Sequence, residues 1–246
     1  LLAVVVAVMC VLTNPAAYKV MAESGTTKDW VPNGMAESGF AGGDGTELNP
    51  YLVETAEQLS NVRNHLDACF RQEADIDLNV APYDQSQGWV PIGDQAEDCF
   101  TGTYDGNGKT ITGLYIKRTL GRCVGLFASL AGATIKDLTL ADVQVRGDSQ
   151  VGGLAGLVEP QGDRLARITD VHVIAGSVSG TVMTGGLAGE LGGCEVVGSS
   201  AGCDVTGVDG FVGGFIGYMR SAATIEECSA TGDVTTTGTG IDVGGF

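Results

Sequence analysis

One short phrase recurs along this chain and restricts what it can fold into. Val151-Gly-Gly-Leu-Ala-Gly156 returns as Thr184-Gly-Gly-Leu-Ala-Gly189 and Val212-Gly-Gly-Phe-Ile-Gly217, and Val243-Gly-Gly-Phe246 begins another copy. A looser version, Val124-Gly-Leu-Phe-Ala128, precedes them, and the starts lie 27, 33, 28 and 31 residues apart. Self-similarity at such a period is the signature of a repeat architecture, in which each unit buries its apolar face only against its neighbours. Of the 39 glycines, 27 follow residue 120, and aromatic residues make up 6% of the chain. That composition favours many tight corners over bulky globular packing.

A second pattern accompanies the phrase. The runs Ile135-Lys-Asp-Leu-Thr-Leu140, Ile168-Thr-Asp-Val-His-Val173, Val196-Val-Gly-Ser-Ser-Ala201 and Ile225-Glu-Glu-Cys-Ser-Ala230 align as strands. They form columns: Ile135, Ile168, Val196 and Ile225; then Leu138, Val171, Ser199 and Cys228; then Leu140, Val173, Ala201 and Ala230. The polar residues between them are expected on the other face, as period-two side chains are. A third strand per turn is expected at Ser177-Val178, Asp204-Val205 and Asp233-Val234. Stacked at the inter-strand spacing of about 4.8 Å, these positions build apolar ladders. The expectation is a mainly β fold, a parallel β-helix or β-solenoid, right-handed by the crossover rule, with a small α/β N-terminal cap.

Four segments follow. Residues 1–20 hold an apolar run, Leu1 to Leu12, too short to span a bilayer and suited to an export signal or membrane-proximal segment. Cys10 is a candidate lipidation site, and Pro15-Ala16-Ala17 a candidate cleavage site. Residues 21–43 read as a linker, with Met21-Ala-Glu-Ser-Gly25 duplicated as Met35-Ala-Glu-Ser-Gly39. Residues 44–99 read as a cap covering the open end of the solenoid. Within it, Thr55-Ala-Glu-Gln58 is a capping box opening a helix over about 56–68. Ala74-Asp-Ile-Asp-Leu78 alternates like a strand, and Trp89-Val-Pro-Ile-Gly93 is an aromatic anchor. Residues 100–246 are the solenoid. It opens with a strand–turn–strand pattern in which Asp105-Gly-Asn-Gly108 is the turn. The last copy of the phrase breaks off at Phe246, so the chain is expected to be a piece of a longer exported protein.

The formal net charge is −17, with acidic residues in excess in both halves. Such a surface repels nucleic-acid phosphate and anionic lipid, which excludes nucleic-acid binding and leaves membrane association only to an N-terminal anchor. Apart from Cys10 there are six cysteines: Cys69, Cys99, Cys123, Cys194, Cys203 and Cys228. The even number permits disulfides in an exported chain, while burial as small apolar residues is the plainer expectation, for Cys228 above all. No Cys-x-x-Cys occurs, and His65 and His172 lie 107 residues apart, so neither a zinc site nor His-Glu-x-x-His metallopeptidase chemistry is available here.

Other motifs weaken on inspection. Gly198-Ser-Ser-Ala-Gly202 matches a nucleophile-elbow pattern around Ser200, but that motif needs a following helix, and the expectation is a solenoid strand or corner. Thr103-Tyr-Asp-Gly-Asn-Gly-Lys-Thr110 resembles a phosphate loop without the helix that would bind phosphate. Asp44 and Asp105 lie in Gly-rich turns but in no calcium-loop pattern. Asp75 and Asp77 share one strand face, the arrangement a glycosidase pair would need, without a cleft-forming insertion. No catalytic, cofactor-binding or metal-ligating residue is assigned, and no cofactor is expected.

The repeats resemble the GLUG family of bacterial surface proteins, on Gly153-Leu-Ala-Gly156, Gly186-Leu-Ala-Gly189 and Ile225-Glu-Glu-Cys-Ser-Ala-Thr-Gly-Asp-Val234. The resemblance extends over about residues 42–246 and includes the cap segments. Departures are Ser199 at the cysteine position and the extra residues Glu159-Pro-Gln-Gly-Asp163. The resemblance implies a non-catalytic, cell-surface or secreted module for adhesion or display, with a host, matrix or glycan ligand. It also implies an alternative: an accessory β-helix region of a larger secreted peptidase of the IgA-protease type, or of a carbohydrate-active enzyme.

Overall fold

The computed structural model describes residues 39–93, 98–238 and 242–246. The expected export segment (residues 1–20), Cys10 and most of the expected linker lie outside the described residues. The fold is a parallel β-solenoid of about five turns, every named strand pairing being parallel.

Each turn has four faces. Face 1 holds Thr103–Thr112, Thr134–Ala141, Ala166–Val173, then the interrupted pairs Cys194–Val197 with Ser200–Ala201 and Thr224–Glu226 with Ser229–Ala230. Face 2 holds Tyr115–Lys117, Val143–Arg146, Gly176–Gly180, Asp204–Gly207 and Val234–Thr236. Face 3 holds Arg122–Val124, Ser149–Val151, Val182–Gly185, Phe211–Gly213 and Asp242–Gly244. Face 4 holds Phe127–Ala131, Ala155–Glu159, Ala188–Leu191 and Ile216–Met219. The expected three strands per turn are thus four, because the glycine phrase is not one strand. Its first residues end face 3, its last begin face 4, and its Leu or Phe (Leu154, Leu187, Phe215) plugs the core at the corner between them.

The columns read from the sequence are real registers. Ile168 pairs with Ile135 on one side and Val196 on the other, and Val196 pairs with Ile225. Val171 pairs with Leu138, while Val173 pairs with Leu140 and Ala201. Strict alternation cannot produce them, however, since Ile135 and Leu138 are three residues apart and both fully buried. One residue per turn resets the phase. Asp137, Asp170, Gly198 and Glu227 all take a left-handed backbone, with φ of 52°, 51°, 63° and 55°. Asp and Gly are among the residues that visit this region most readily. Where the column residue is Ser199, its hydroxyl accepts from the Val171 amide at 3.2 Å and donates to the Val197 carbonyl at 3.1 Å. The departure from an apolar column is therefore satisfied by hydrogen bonds.

The phrase glycines avoid clashes rather than adopt unusual dihedrals. A Cβ on Gly156 would lie 2.3 Å from Cys123 Cα, and one on Gly189 2.3 Å from the Val151 amide nitrogen. Both contacts are with the face-3 strand of the preceding turn, so the third glycine lets face 4 close on face 3. A Cβ on Gly153 would meet the Gly186 carbonyl, and one on Gly186 the Gly214 carbonyl, so the second glycine stacks on its own copy in the next turn. A polar chain follows the seam between these faces. Cys123 Sγ donates to Gln150 Oε1, Gln150 Nε2 donates to Glu190 Oε2 at 2.7 Å, and Arg220 pairs with Glu190 and Glu159.

The cap departs from the expectation in two places. The α-helix is Ala56–Asn61, followed by a 3-10 turn at Val62–Asn64, rather than one helix to 68. The capping box forms its Thr55 arm, the Gln58 amide donating to Thr55 Oγ1, but Gln58 Oε1 accepts from the Glu54 amide instead of that of Thr55. The supposed strand–turn–strand is one strand, Thr103–Thr112, bulged between Asp105 and Lys109. Both halves pair in parallel with Thr134–Ala141, so Asp105-Gly-Asn-Gly108 bulges instead of reversing the chain. Strands Tyr51–Val53, Cys69–Gln72 and Ile76–Asp77 extend face 1 past the first turn. The outer edge at Leu52 is closed by backbone bonds to Ala41 and Gly42. Trp89 is fully buried, with its indole N–H donating to the Leu126 carbonyl.

Candidate binding surface

Because inward positions are apolar, the outward positions of face 1 form polar rows. One row runs Thr110, Thr139, His172, Ser200 and Ser229. Another contains Asp105, Lys136 and Thr169, with Lys136 Nζ 2.7 Å from Asp105 Oδ2 and 3.7 Å from Asp137 Oδ2. The hydrogen bond to Asp105 raises the Lys136 pKa above its ordinary value. Arg167 pairs with Glu195 of the next turn at 2.8 Å. The Lys136–Asp105 and Arg167–Glu195 pairs bridge neighbouring turns along an exposed face.

The structure brings His172 and Ser200 together, which spacing alone did not reveal: His172 Nδ1 lies 2.9 Å from Ser200 Oγ. The separation of 28 residues is one turn of the repeat, and that was the signal available. Ser200 sits in strand Ser200–Ala201, not on an elbow before a helix, and the pair belongs to the outward hydroxyl row. His65 lies elsewhere, in the cap, packed against Phe40 and Tyr51.

The acidic candidates hold backbone. Asp75 Oδ1 accepts from the Thr110 amide, and Asp77 Oδ1 accepts from the Asn79 backbone and side-chain nitrogens. Asp44 Oδ1 accepts from the Thr46 hydroxyl and amide, which holds its pKa below the ordinary carboxylate value. Asp105 accepts from the Asn107 amide as well as from Lys136. Among the described residues no group of three or more His, Cys, Asp or Glu is arranged to hold a metal ion. Burial pushes the Cys194 and Cys203 thiols up to about 11, the protonated, unreactive form. Cys228, partly buried, donates to the Val196 and Glu226 carbonyls.

The regular face is interrupted where the cap meets the first turn. There an open cleft of about 550 Å³ is lined by Glu47, Leu48, Pro50, Arg71, Asp105, Asn107, Gly108 and Asp137. Both walls are pinned. In the cap loop, the Asp44 and Gly45 amides donate to the Asn49 carbonyl, and Asn49 donates back to Thr46. In the bulge, Asn107 donates to the Gln72 carbonyl and accepts from Arg71.

Comparison with known proteins agrees with the repeat reading. The model of the GLUG motif matches residues 212–235, a window that starts on face 3 and runs through faces 4 and 1 to face 2. The motif unit is therefore close to one turn of the solenoid. A protein of Evansella cellulosilytica, named as a Gly-rich membrane protein, is 44% identical over 130 residues, 50% of this chain and 15% of the relative. Halomucin of Haloquadratum walsbyi is 31% identical over 204 residues, 78% of this chain and 2% of the relative. The chain thus spans a small fraction of either curated relative. A solved structure titled as a candidate immunoglobulin A1 protease from Bacteroides ovatus aligns with a TM-score of 0.45 and 18% identity, over 83% of this chain and 87% of that one.

Proposed function

We propose that this GLUG-motif chain is a rigid, non-catalytic segment of a cell-surface or secreted protein, serving adhesion or display. The observation that carries the reading is face 1. Its outward side chains bond to one another across turns, giving a long polar surface whose groups hold structure instead of converging on a reacting centre. Parallel stacking makes such a surface stiff, because each turn is fixed to its neighbours along all four faces. The names of the two relatives, a membrane protein and a halomucin, support a location at or outside the cell envelope. The ligand belongs to the host, matrix or glycan classes, and the net charge of −17 works against polyanions.

Two measurements test this. Protease shaving and antibody labelling of intact source cells should reach the solenoid, and the purified chain should bind immobilised matrix or glycan. An epitope accessible only after lysis would remove the surface reading. Peptide or glycoside hydrolysis abolished by Ser200→Ala or His172→Ala would replace it with an enzymatic one.

A further inference from the structure

At the cap–solenoid junction the first strand of face 1 departs from its repeat beside the cleft. The bulge inserts two extra residues between Asp105 and Lys109 relative to the neighbouring strand, where Lys136 and Leu138 are two apart. Bulges recur beside binding sites because they re-aim side chains. Here the bulge forms one wall, and the cap loop carrying Glu47, Leu48 and Pro50 forms the other.

The wall chemistry narrows the occupant. On the bulge wall the Asn107 amide is taken by Asp105, and on the other wall Pro50 has no N–H to offer. An extended peptide would find those positions of the two walls closed to main-chain pairing. An anion would meet Glu47, Asp105 and Asp137 against Arg71, which already pairs with Glu73. A compact cation would compete with the Lys136 ammonium, already 2.7 Å from Asp105. What remains are the Asp137 carboxylate, 3.7 Å from the Lys136 ammonium, the second N–H of the Asn107 side-chain amide, the Nη1 end of Arg71, and an apolar patch of Leu48 and Pro50, with Leu48 98% exposed on its braced loop. Carboxylate and amide groups accept from and donate to hydroxyls, and the apolar patch suits the C–H face of a ring. The volume is within the range of small-ligand sites, and the cleft is open to solvent.

We propose that this cleft binds a neutral glycan, with Asp137 as hydroxyl acceptor and Leu48 as the ring platform. The inference rests on the adhesion reading and assigns it a site and a ligand class.

The test uses the whole chain in calorimetric titrations against soluble neutral polysaccharides (a β-glucan, an α-mannan and a galactan). A sulfated polysaccharide and a lysine-rich peptide serve as competitors. Two variants address the cleft. Asp137→Asn keeps a residue that tolerates the left-handed backbone, and Leu48→Ser changes an exposed side chain. Each should weaken binding about tenfold, the loss of one charge-assisted contact or of the platform. Gln144→Ala, an exposed position of Val143–Arg146 on face 2 and outside the polar rows of face 1, should leave binding unchanged. Melting curves for each variant guard against loss of fold. Neutral-glycan binding untouched by both cleft variants would overturn the cleft assignment and leave adhesion standing elsewhere on the surface. Preference for the sulfated polymer or the basic peptide would overturn the ligand class. No binding to any neutral glycan would overturn the inference, and retained attachment to matrix protein would then show that the adhesion reading survives without it.

Discussion

In the cap and first turn the core is aromatic and non-repeating. Phe40 stacks on Tyr51 at 4.6 Å, Phe70 contacts Phe40, Phe100 and Tyr104, and Phe100 packs on Phe127 at 5.0 Å. In the later turns the core is built from columns of Ile, Val, Leu and Ala, each residue resting on its own copy one turn away. The two regions solve different problems. A stacked turn needs a side chain only large enough to meet its copy about 4.8 Å away. The terminal turn has no copy on one side, so bulky rings must cover its apolar end and a backbone strap its strand edge.

Single substitutions should separate these modes. The largest effect is expected from Phe70→Ala in the cap, at about 3–5 kcal/mol, because no repeat unit can fill the cavity. Ile168→Val in a column should cost about 1 kcal/mol. Urea unfolding of the whole chain measures both, and equal losses would contradict the division. Next comes the seam: Gly156→Ala forces a Cβ against Cys123 backbone and should cost about 1–3 kcal/mol or more. Proteolysis should then nick the turn around residue 156 before the cap. Glu190→Ala strips partners from the buried Gln150 amide and from Arg220, with an expected loss of about 1–3 kcal/mol. A smaller effect is expected at the phase-resetting position. Asp170→Val should lose about 1–2 kcal/mol through its left-handed backbone, and Asp170→Gly should lose little or gain. Thermal melting of that pair would expose an error if valine were the better tolerated.

A further effect emerges only at alkaline pH. Burial raises the Cys194 and Cys203 thiols, so the folded chain keeps protons that the unfolded chain releases. Their contribution to stability is complete below the ordinary thiol value of 9.0 and lost as pH rises toward about 11. Denaturant midpoints should therefore fall over that interval, and less so in a Cys194→Ala, Cys203→Ala double variant. Maleimide at neutral pH should label both thiols only after unfolding.

Much of this was legible in the sequence, and particular residues show why. The Ile135–Ile168–Val196–Ile225 column could be read because stacking copies each turn onto the next, so a spatial neighbour is a fixed number of residues away. The Asp105–Gly108 segment could not, because a turn and a two-residue bulge use the same Gly and Asn chemistry at positive φ. Only pairing with Thr134–Ala141 distinguishes them. The helix end differs from the expectation for a related reason: Leu59, Val62 and Leu66 keep helical spacing in the sequence, yet the chain tightens at Val62 and turns toward the Cys69 strand. The His172–Ser200 contact was available from the same one-turn spacing, whereas the cleft was hidden because it joins residues that become neighbours only when the cap docks.

By itself the sequence determined the architecture: a periodic, glycine-cornered chain with apolar columns has few ways other than a solenoid to bury them. The tertiary structure decided what each element does within it. It divided the glycine phrase between two faces and gave its glycines different close contacts. It turned Asp44, Asp75, Asp77 and Asp105 from candidate chemistry into backbone partners. It also opened a cleft where the non-repeating cap meets the first turn. Periodicity is a local property that one turn can encode, whereas a cleft depends on where two different elements come to rest.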